Sequence, residues 1–210
     1  MSSEWSIPNI WNKIRWTVYL PIYDWVVNSF GPYRALSIEN LHLKAGDKIL
    51  ISGAGSGLDL QFLPDSVEIT AIDITPGMIA LLKNKARRQG KNVEAMVMDG
   101  MQLQLEDNSY DHVILHLILA VIPDPVKCIR EAERVLKPGG TIVVFDKFIP
   151  VGQKPGIVRK VLNVIFQFLA TSVNRDIDKI VAHTGLQKQK DQPVAWAGLF
   201  RAILLYKPTA

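Results

Sequence analysis

The chain carries a single cysteine, Cys128, in 210 residues, so an internal disulfide framework is excluded and a reducing cytoplasm is the expected setting. No uninterrupted apolar run reaches the roughly eighteen residues that a spanning helix needs. No basic start leads into an apolar stretch with a small-residue cleavage site, so a secretory signal is not expected. Histidines, cysteine and acids nowhere recur at metal-ligand spacing, and no metal is expected. Internal repeats and low-complexity tracts are missing too. Aromatic residues make up only 8% of the chain, yet Trp5, Trp11, Trp16 and Trp25, four of its five tryptophans, lie near its start.

What is present suits one folded domain with a real core, at 48% hydrophobic and 21% charged residues. The net charge of +4 is unevenly placed. Between residues 147 and 190, Lys147, Lys154, Arg159, Lys160, Arg175, Lys179, Lys188 and Lys190 face only Asp176 and Asp178. Such a face suits anionic lipid or nucleic acid, with a solvated surface as the plainer reading. Inside it, residues 156–171 are apolar except for Arg159, Lys160, Asn163 and Gln167, whose spacing leaves one wet helical face.

The densest chemical signal is the stretch Lys48-Ile49-Leu50-Ile51-Ser52-Gly53-Ala54-Gly55-Ser56-Gly57. A strand-like run stops at three glycines on alternate positions, which allow a tight turn and let a ligand lie against the backbone. A helix over 57–63 is expected to follow and to turn its N–H groups toward that ligand. The next apolar run, 67–72, ends at Asp73, whose carboxylate suits a ribose diol. Further strands are expected over 93–98, 112–116 and 141–145, with helices over 76–89 and 125–136. Pro76 suits a first helical turn and Gly90 an end, while Lys137-Pro138-Gly139-Gly140 reads as a turn into a strand. Residues 199–206 read as a last strand with 187–191 as its partner in a closing antiparallel hairpin. The alternation predicts an α/β fold: a doubly wound, Rossmann-like, mostly parallel seven-stranded sheet with an antiparallel last strand. Residues 1–39 stand apart as a helical lid or membrane-contact segment before a domain of 40–210. Pro21 breaks any single helix there.

Residues 40–148 resemble the class I S-adenosylmethionine-dependent methyltransferases. The resemblance rests on I-L-I-S-G-A-G-S-G-L, I-T-A-I-D-I-T-P-G-M-I, V-M-D-G-M-Q-L-Q-L-E-D-N-S-Y-D-H-V-I-L and R-V-L-K-P-G-G-T-I-V-V-F-D, in that order. It implies S-adenosyl-L-methionine as cofactor. Gly53, Gly55 and Gly57, with Ser56, would line its methionine and ribose parts, and Asp73 would bind the ribose hydroxyls beside Ile74 and Met78. Asp99 would accept from the adenine amino group, with Gly100 and Met101 beside the ring, and His116 and Leu117 would border the sulfonium. The family often carries an acid two residues before the first glycine. Here that position is Ile51, with Ser52 next to it, so the methionine amino group must be gripped from elsewhere.

The flanks, W-N-K-I-R-W-T-V-Y-L-P-I-Y-D-W, H-L-I-L-A-V-I-P-D-P, F-D-K-F and G-L-F-R-A-I-L-L-Y-K, resemble bacterial phospholipid N-methyltransferases, which act on phosphatidylethanolamine. That implies a phospholipid substrate, an anionic membrane surface as partner, no nucleic acid, and a place in the cytoplasm or on the inner membrane face. An ammonium acceptor must lose a proton before it attacks, and Tyr19, Tyr23, His116 and Asp146 are the candidates to take it. Three of them have a plainer alternative: Tyr23 as lid, His116 as pocket wall, Asp146 as pocket border. The early tryptophans read either as an interfacial segment or as an inward-packed lid. Three rival functions stand beside this reading. They are methylation of a quinone precursor or other small apolar molecule, cofactor binding without catalysis, and nicotinamide-dependent oxidoreduction. Against the last, Leu58 stands where the usual G-x-G-x-x-G loop needs its third glycine.

Overall fold

A computed structural model describes residues 30–148 and 175–209. Within them the strands β1 (Lys48–Ser52), β2 (Glu68–Asp73), β3 (Val93–Val97), β4 (Tyr110–His116), β5 (Leu136–Lys147), β6 (Gln187–Ala195) and β7 (Phe200–Tyr206) form one sheet. Their spatial order is β3-β2-β1-β4-β5-β7-β6. The first five strands pair in parallel, and β7 runs antiparallel to both of its neighbours. This is the expected doubly wound sheet. The order reverses between β1 and β4, the point where such sheets open a crevice at their carboxyl ends.

Alternation along the strands divides the core. Leu50, Ile72, Val113, Leu115, Ile142 and Val144 pack with Cys128, Ile129, Ala132 and Val135 of α3 (Pro125–Val135) and with Ile177 and Ile180 of α4 (Ile177–Val181). Their neighbours Ile49, Ile51, Ala71, Ile114 and Val143 pack with Ile38 of α1 (Gly31–Glu39) and Ile79, Leu82 and Ala86 of α2 (Pro76–Arg88). Each fully buried aliphatic side chain contributes about 1.5–3 kcal/mol, so both faces of the sheet must stay covered. Local signals place the helix ends. Pro76 and Pro125 begin α2 and α3. The Asp124 carboxylate caps α3 by accepting from the N–H groups of Val126 and Lys127. Lys85, Arg87 and Arg88 fill the last turn of α2, where cations suit the helix dipole.

Three expectations are corrected. The helix expected over 57–63 is a set of turns with one short 3₁₀ turn, Leu60–Phe62. The left-handed torsions of Gly53, Gly55 and Gly57 use up the chain reversal, and Pro64 follows too closely for a helix to propagate. Residues 137–140 do not precede a strand; they bulge within β5. Tyr110 pairs with Leu136 and His112 with Thr141, so the intervening residues loop out around Gly139 at φ 82°. The partner of β7 extends to Ala195 rather than stopping at 191, passing through Pro193, which an edge strand tolerates. Helix α1 falls within residues 1–39, expected to be helical, whereas α4 carried no sequence signal that announced it.

Candidate active site

The carboxyl ends of β1, β2 and β3 and the loop after β4 enclose a cleft. Gly53 and Gly55 form its floor, and Asp73, Ile74 and Met78 flank one side. Asp99, Gly100 and Met101 stand at another, and Leu117 and Ile118 close the third. The apolar loop residues Val121, Ile122 and Pro123, with Thr75 and Met98, complete the wall; they lie within the motif stretches but were not among the expected site residues.

Asp73 sits where β2 ends. Its two carboxylate oxygens accept from the N–H groups of Gly55 (2.9 Å) and Thr75 (2.8 Å), which locks the glycine loop to the second strand. Burial pushes its pKa up, against those backbone donors. The Thr75 side chain bonds the same carboxylate, and of its roughly four lone-pair sites a ligand diol would use what these three donors leave. Asp99 is held in the same way, accepting from the N–H of Met101 at 2.8 Å. Gly53 and Gly55 adopt φ of 73° and 53°. A Cβ on Gly53 would lie 2.6 Å from Cδ1 of Ile118, whereas one on Gly55 would meet nothing within 4 Å. The bare backbone at Gly55 therefore faces open room. Two anchored carboxylates, a glycine floor and methionine walls fit a cationic nucleoside.

The other expected residues are placed differently. Ser56 is buried, and Gly57 packs its backbone on Leu82 of α2, where a Cβ would be 2.9 Å away; neither lies on the cleft wall. His116 is not on the wall either. Its Nδ1 lies 2.8 Å from Oδ1 of Asp59 and its Nε2 lies 3.0 Å from Oγ of Ser37. Asp59 in turn accepts two hydrogen bonds from Nη1 of Arg34, at 2.8 and 2.9 Å. Burial alone would raise the Asp59 pKa, but Arg34 and His116 hold the carboxyl well below the usual range. This buried Arg34–Asp59–His116–Ser37 network ties α1 to the glycine loop and to the end of β4. It gives His116 an anchoring geometry in place of the expected cleft contact.

Asp146 is likewise fully buried, with both oxygens occupied by backbone N–H groups, those of Ala120 (2.8 Å) and Lys147 (2.7 Å). Burial pushes its pKa up, against the charge of Lys147 and those two donors. Tyr19 and Tyr23, like the rest of residues 1–29 and the apolar stretch 156–171, lie outside the described residues. Beside Leu117, which carries φ of 58°, Phe30, Tyr33, Phe145, Phe200 and Trp196 form an aromatic cluster. Tyr33 stacks on Phe145 at 6.2 Å and Trp196 meets Phe200 edge-on at 5.3 Å.

Residues 50–144 match the family described as "Methyltransferase domain". The chain is 28% identical to the phosphatidylethanolamine N-methyltransferase of Cereibacter sphaeroides over 189 residues, 89% of this chain and 91% of that one. It is 36% identical to the demethylmenaquinone methyltransferase of Corynebacterium efficiens over 129 residues, 60% of this chain and 54% of that one. The chain thus spans about half the length of that relative. Among solved structures, a putative methyltransferase of Bacillus halodurans superposes with a TM-score of 0.71 at 18% identity, covering 84% of this chain and 99% of the other. The fold and the matched stretch support a class I S-adenosylmethionine-dependent methyltransferase, with residues 50–144 as its methyltransferase domain. Its cofactor is S-adenosyl-L-methionine, and the anchored carboxylates and glycine floor of the cleft are of the kind that cofactor needs.

Proposed function

We propose that this methyltransferase alkylates the amine of phosphatidylethanolamine at a membrane surface. The observation that carries the reading is the reach of the likeness to a phosphatidylethanolamine N-methyltransferase. It extends through 91% of that protein, well beyond the matched domain stretch of residues 50–144. The tryptophan-rich start and the cationic, apolar stretch within 147–190 support it, because that combination suits an anionic lipid surface. The aromatic cluster beside Leu117 supports it too, since methylated ammonium groups favour aromatic faces. Residues 1–39 act as lid and membrane contact, fastened to the domain of 40–210 through Arg34, and the enzyme works peripherally on the inner membrane face.

When bound, the cofactor supplies an electrophilic sulfonium methyl group for in-line displacement. The chain supplies alignment and dryness. Asp73 takes the ribose diol, Asp99 takes the adenine amino group, and Met78 and Met101 exclude water from the ring. Gly53 and Gly55 let the methionine end lie on the backbone. The acceptor ammonium must lose a proton to expose its lone pair. One of Tyr19 and Tyr23 relays it, its phenol oxygen accepting the ammonium proton as its own hydroxyl proton passes to water, while His116 and Asp146 contribute position.

The test is incubation with labelled cofactor and, in parallel, phosphatidylethanolamine in anionic vesicles and quinone precursors. Label in methylated phosphatidylethanolamine is expected. Label confined to a quinone precursor would replace this reading with the small-molecule one, and label in neither would leave a binding protein without this catalysis.

A further inference from the structure

Loop 117–124, between β4 and α3, builds the apolar wall of the cleft with Leu117, Ile118, Val121, Ile122 and Pro123. Its own bonds are few: the N–H groups of Val121 and Ile122 donate to the carbonyl of Ile118 at 3.1 and 2.9 Å. Its first residue, Leu117, donates its N–H to the Phe145 carbonyl at 2.8 Å, and the middle of its backbone is held by two charges that lie far away in the chain. Asp146, at the end of β5, accepts from the N–H of Ala120. Arg175, just before α4, donates from Nη1 to the carbonyl of Leu119 and from Nη2 to that of Ile122 at 2.6 Å. Three backbone groups of one loop thus end on two opposite charges. Each charge offsets part of the burial cost of the other.

Neither side chain lines the cleft, so neither is set to contact the cofactor. Ile118 nonetheless sits where a Cβ on Gly53 would be 2.6 Å from its Cδ1, so a small shift of the loop either fills the floor or opens the wall. We propose that Arg175 and Asp146 are positioning residues that hold loop 117–124 in its cofactor-binding shape, and that they set affinity for the cofactor without taking part in proton transfer. The proposal rests on the cofactor reading of the cleft. It assigns Asp146 a role different from a general base, and it gives Arg175 one that no motif announces.

The experiment uses the full chain and three variants, Arg175→Gln, Arg175→Lys and Asp146→Asn. S-adenosylhomocysteine affinity is measured by calorimetry, and kcat and KM are measured across pH. Arg175→Gln, which removes a charged double donor, is expected to weaken S-adenosylhomocysteine binding by about tenfold or more. Arg175→Lys, which keeps the charge and one bond, recovers part of that loss. Asp146→Asn raises KM for the cofactor and leaves the shape of the kcat–pH profile intact. Folded Arg175 variants with wild-type affinity would overturn the clamp. So would an Asp146→Asn enzyme with unchanged affinity and one lost limb of the kcat–pH profile, since that marks a base. Should Asp146→Asn fail to fold, the Arg175 pair decides. A wild-type chain that does not bind S-adenosylhomocysteine refutes the cofactor reading and the clamp with it, whereas wild-type binding with unaltered Arg175 variants refutes the clamp alone.

Discussion

Replacing Asp73 with asparagine removes the charge at the end of β2 while keeping the shape of the side chain. In the folded chain each carboxylate oxygen already receives one backbone N–H, from Gly55 and from Thr75. The Thr75 side chain bonds the carboxylate as well, and a ribose diol would take up the acceptor capacity that is left. Hydrogen bonds to a charged group contribute about 1.5–3 kcal/mol each. Loss of the charge at a two-bond contact is therefore expected to weaken S-adenosylhomocysteine binding by about 3 kcal/mol, or roughly 150-fold. Calorimetry with the intact ligand and with its 2′-deoxy analogue separates diol recognition from bracing of the loop. The wild type should lose affinity when the 2′-hydroxyl is removed, and Asp73→Asn should lose much less from that same change. Because burial raises the Asp73 pKa, wild-type affinity should also fall in mild acid, as the carboxylate protonates above the pH expected of an exposed aspartate. Equal losses for the two ligands in the variant would refute a diol role. Unchanged binding of the intact ligand would refute the site.

Asp59→Asn leaves the Arg34 guanidinium, itself only 5% exposed, without its charged partner. It should cost about 3 kcal/mol in urea denaturation at pH 7. The folded-state pKa of Asp59 lies below its unfolded value, so the wild-type advantage is full above the unfolded pKa and is lost as pH falls through the depressed one; denaturation at pH 7 and in strong acid reads this directly. Gly53→Ala forces a Cβ against Ile118 at φ 73° and should lower stability by about 1–2 kcal/mol or more and weaken S-adenosylhomocysteine binding. Gly77→Ala, in the first turn of α2 with open space around it and no left-handed torsion, should stabilise the fold by about 0.5 kcal/mol. A thermal melt of the two glycine variants side by side checks both signs.

The residues that were legible in the sequence share one property: their chemistry is local to a strand end. Asp73, Gly53, Gly55 and Asp99 sit at the edges of short β-branched runs, so strand-end position and ligand chemistry could be read together. The strand succession was legible for the same reason, because Ile49 to Ser52 or Ile142 to Val144 admit little besides a buried parallel strand. The helix expected over 57–63 failed because it was expected simply as the successor of a glycine loop, while the left-handed torsions of Gly53, Gly55 and Gly57 that take up the chain reversal leave no mark in periodicity. His116 and Asp146 drew notice as strand-end polar residues, but their partners Asp59 and Ser37, and the N–H of Ala120, lie 26 to 79 positions away. Arg175 is the extreme case. It bonds the carbonyls of Leu119 and Ile122, groups that every residue possesses, so no choice of side chain on the loop records the contact. A ligand leaves a trace in residue identity because it must be matched by particular side chains. A backbone-directed charge leaves a trace only at its own position, where one arginine in a basic stretch looks like any other. Asp146 and Arg175 belong to that second kind, since their partners are the N–H of Ala120 and the carbonyls of Leu119 and Ile122.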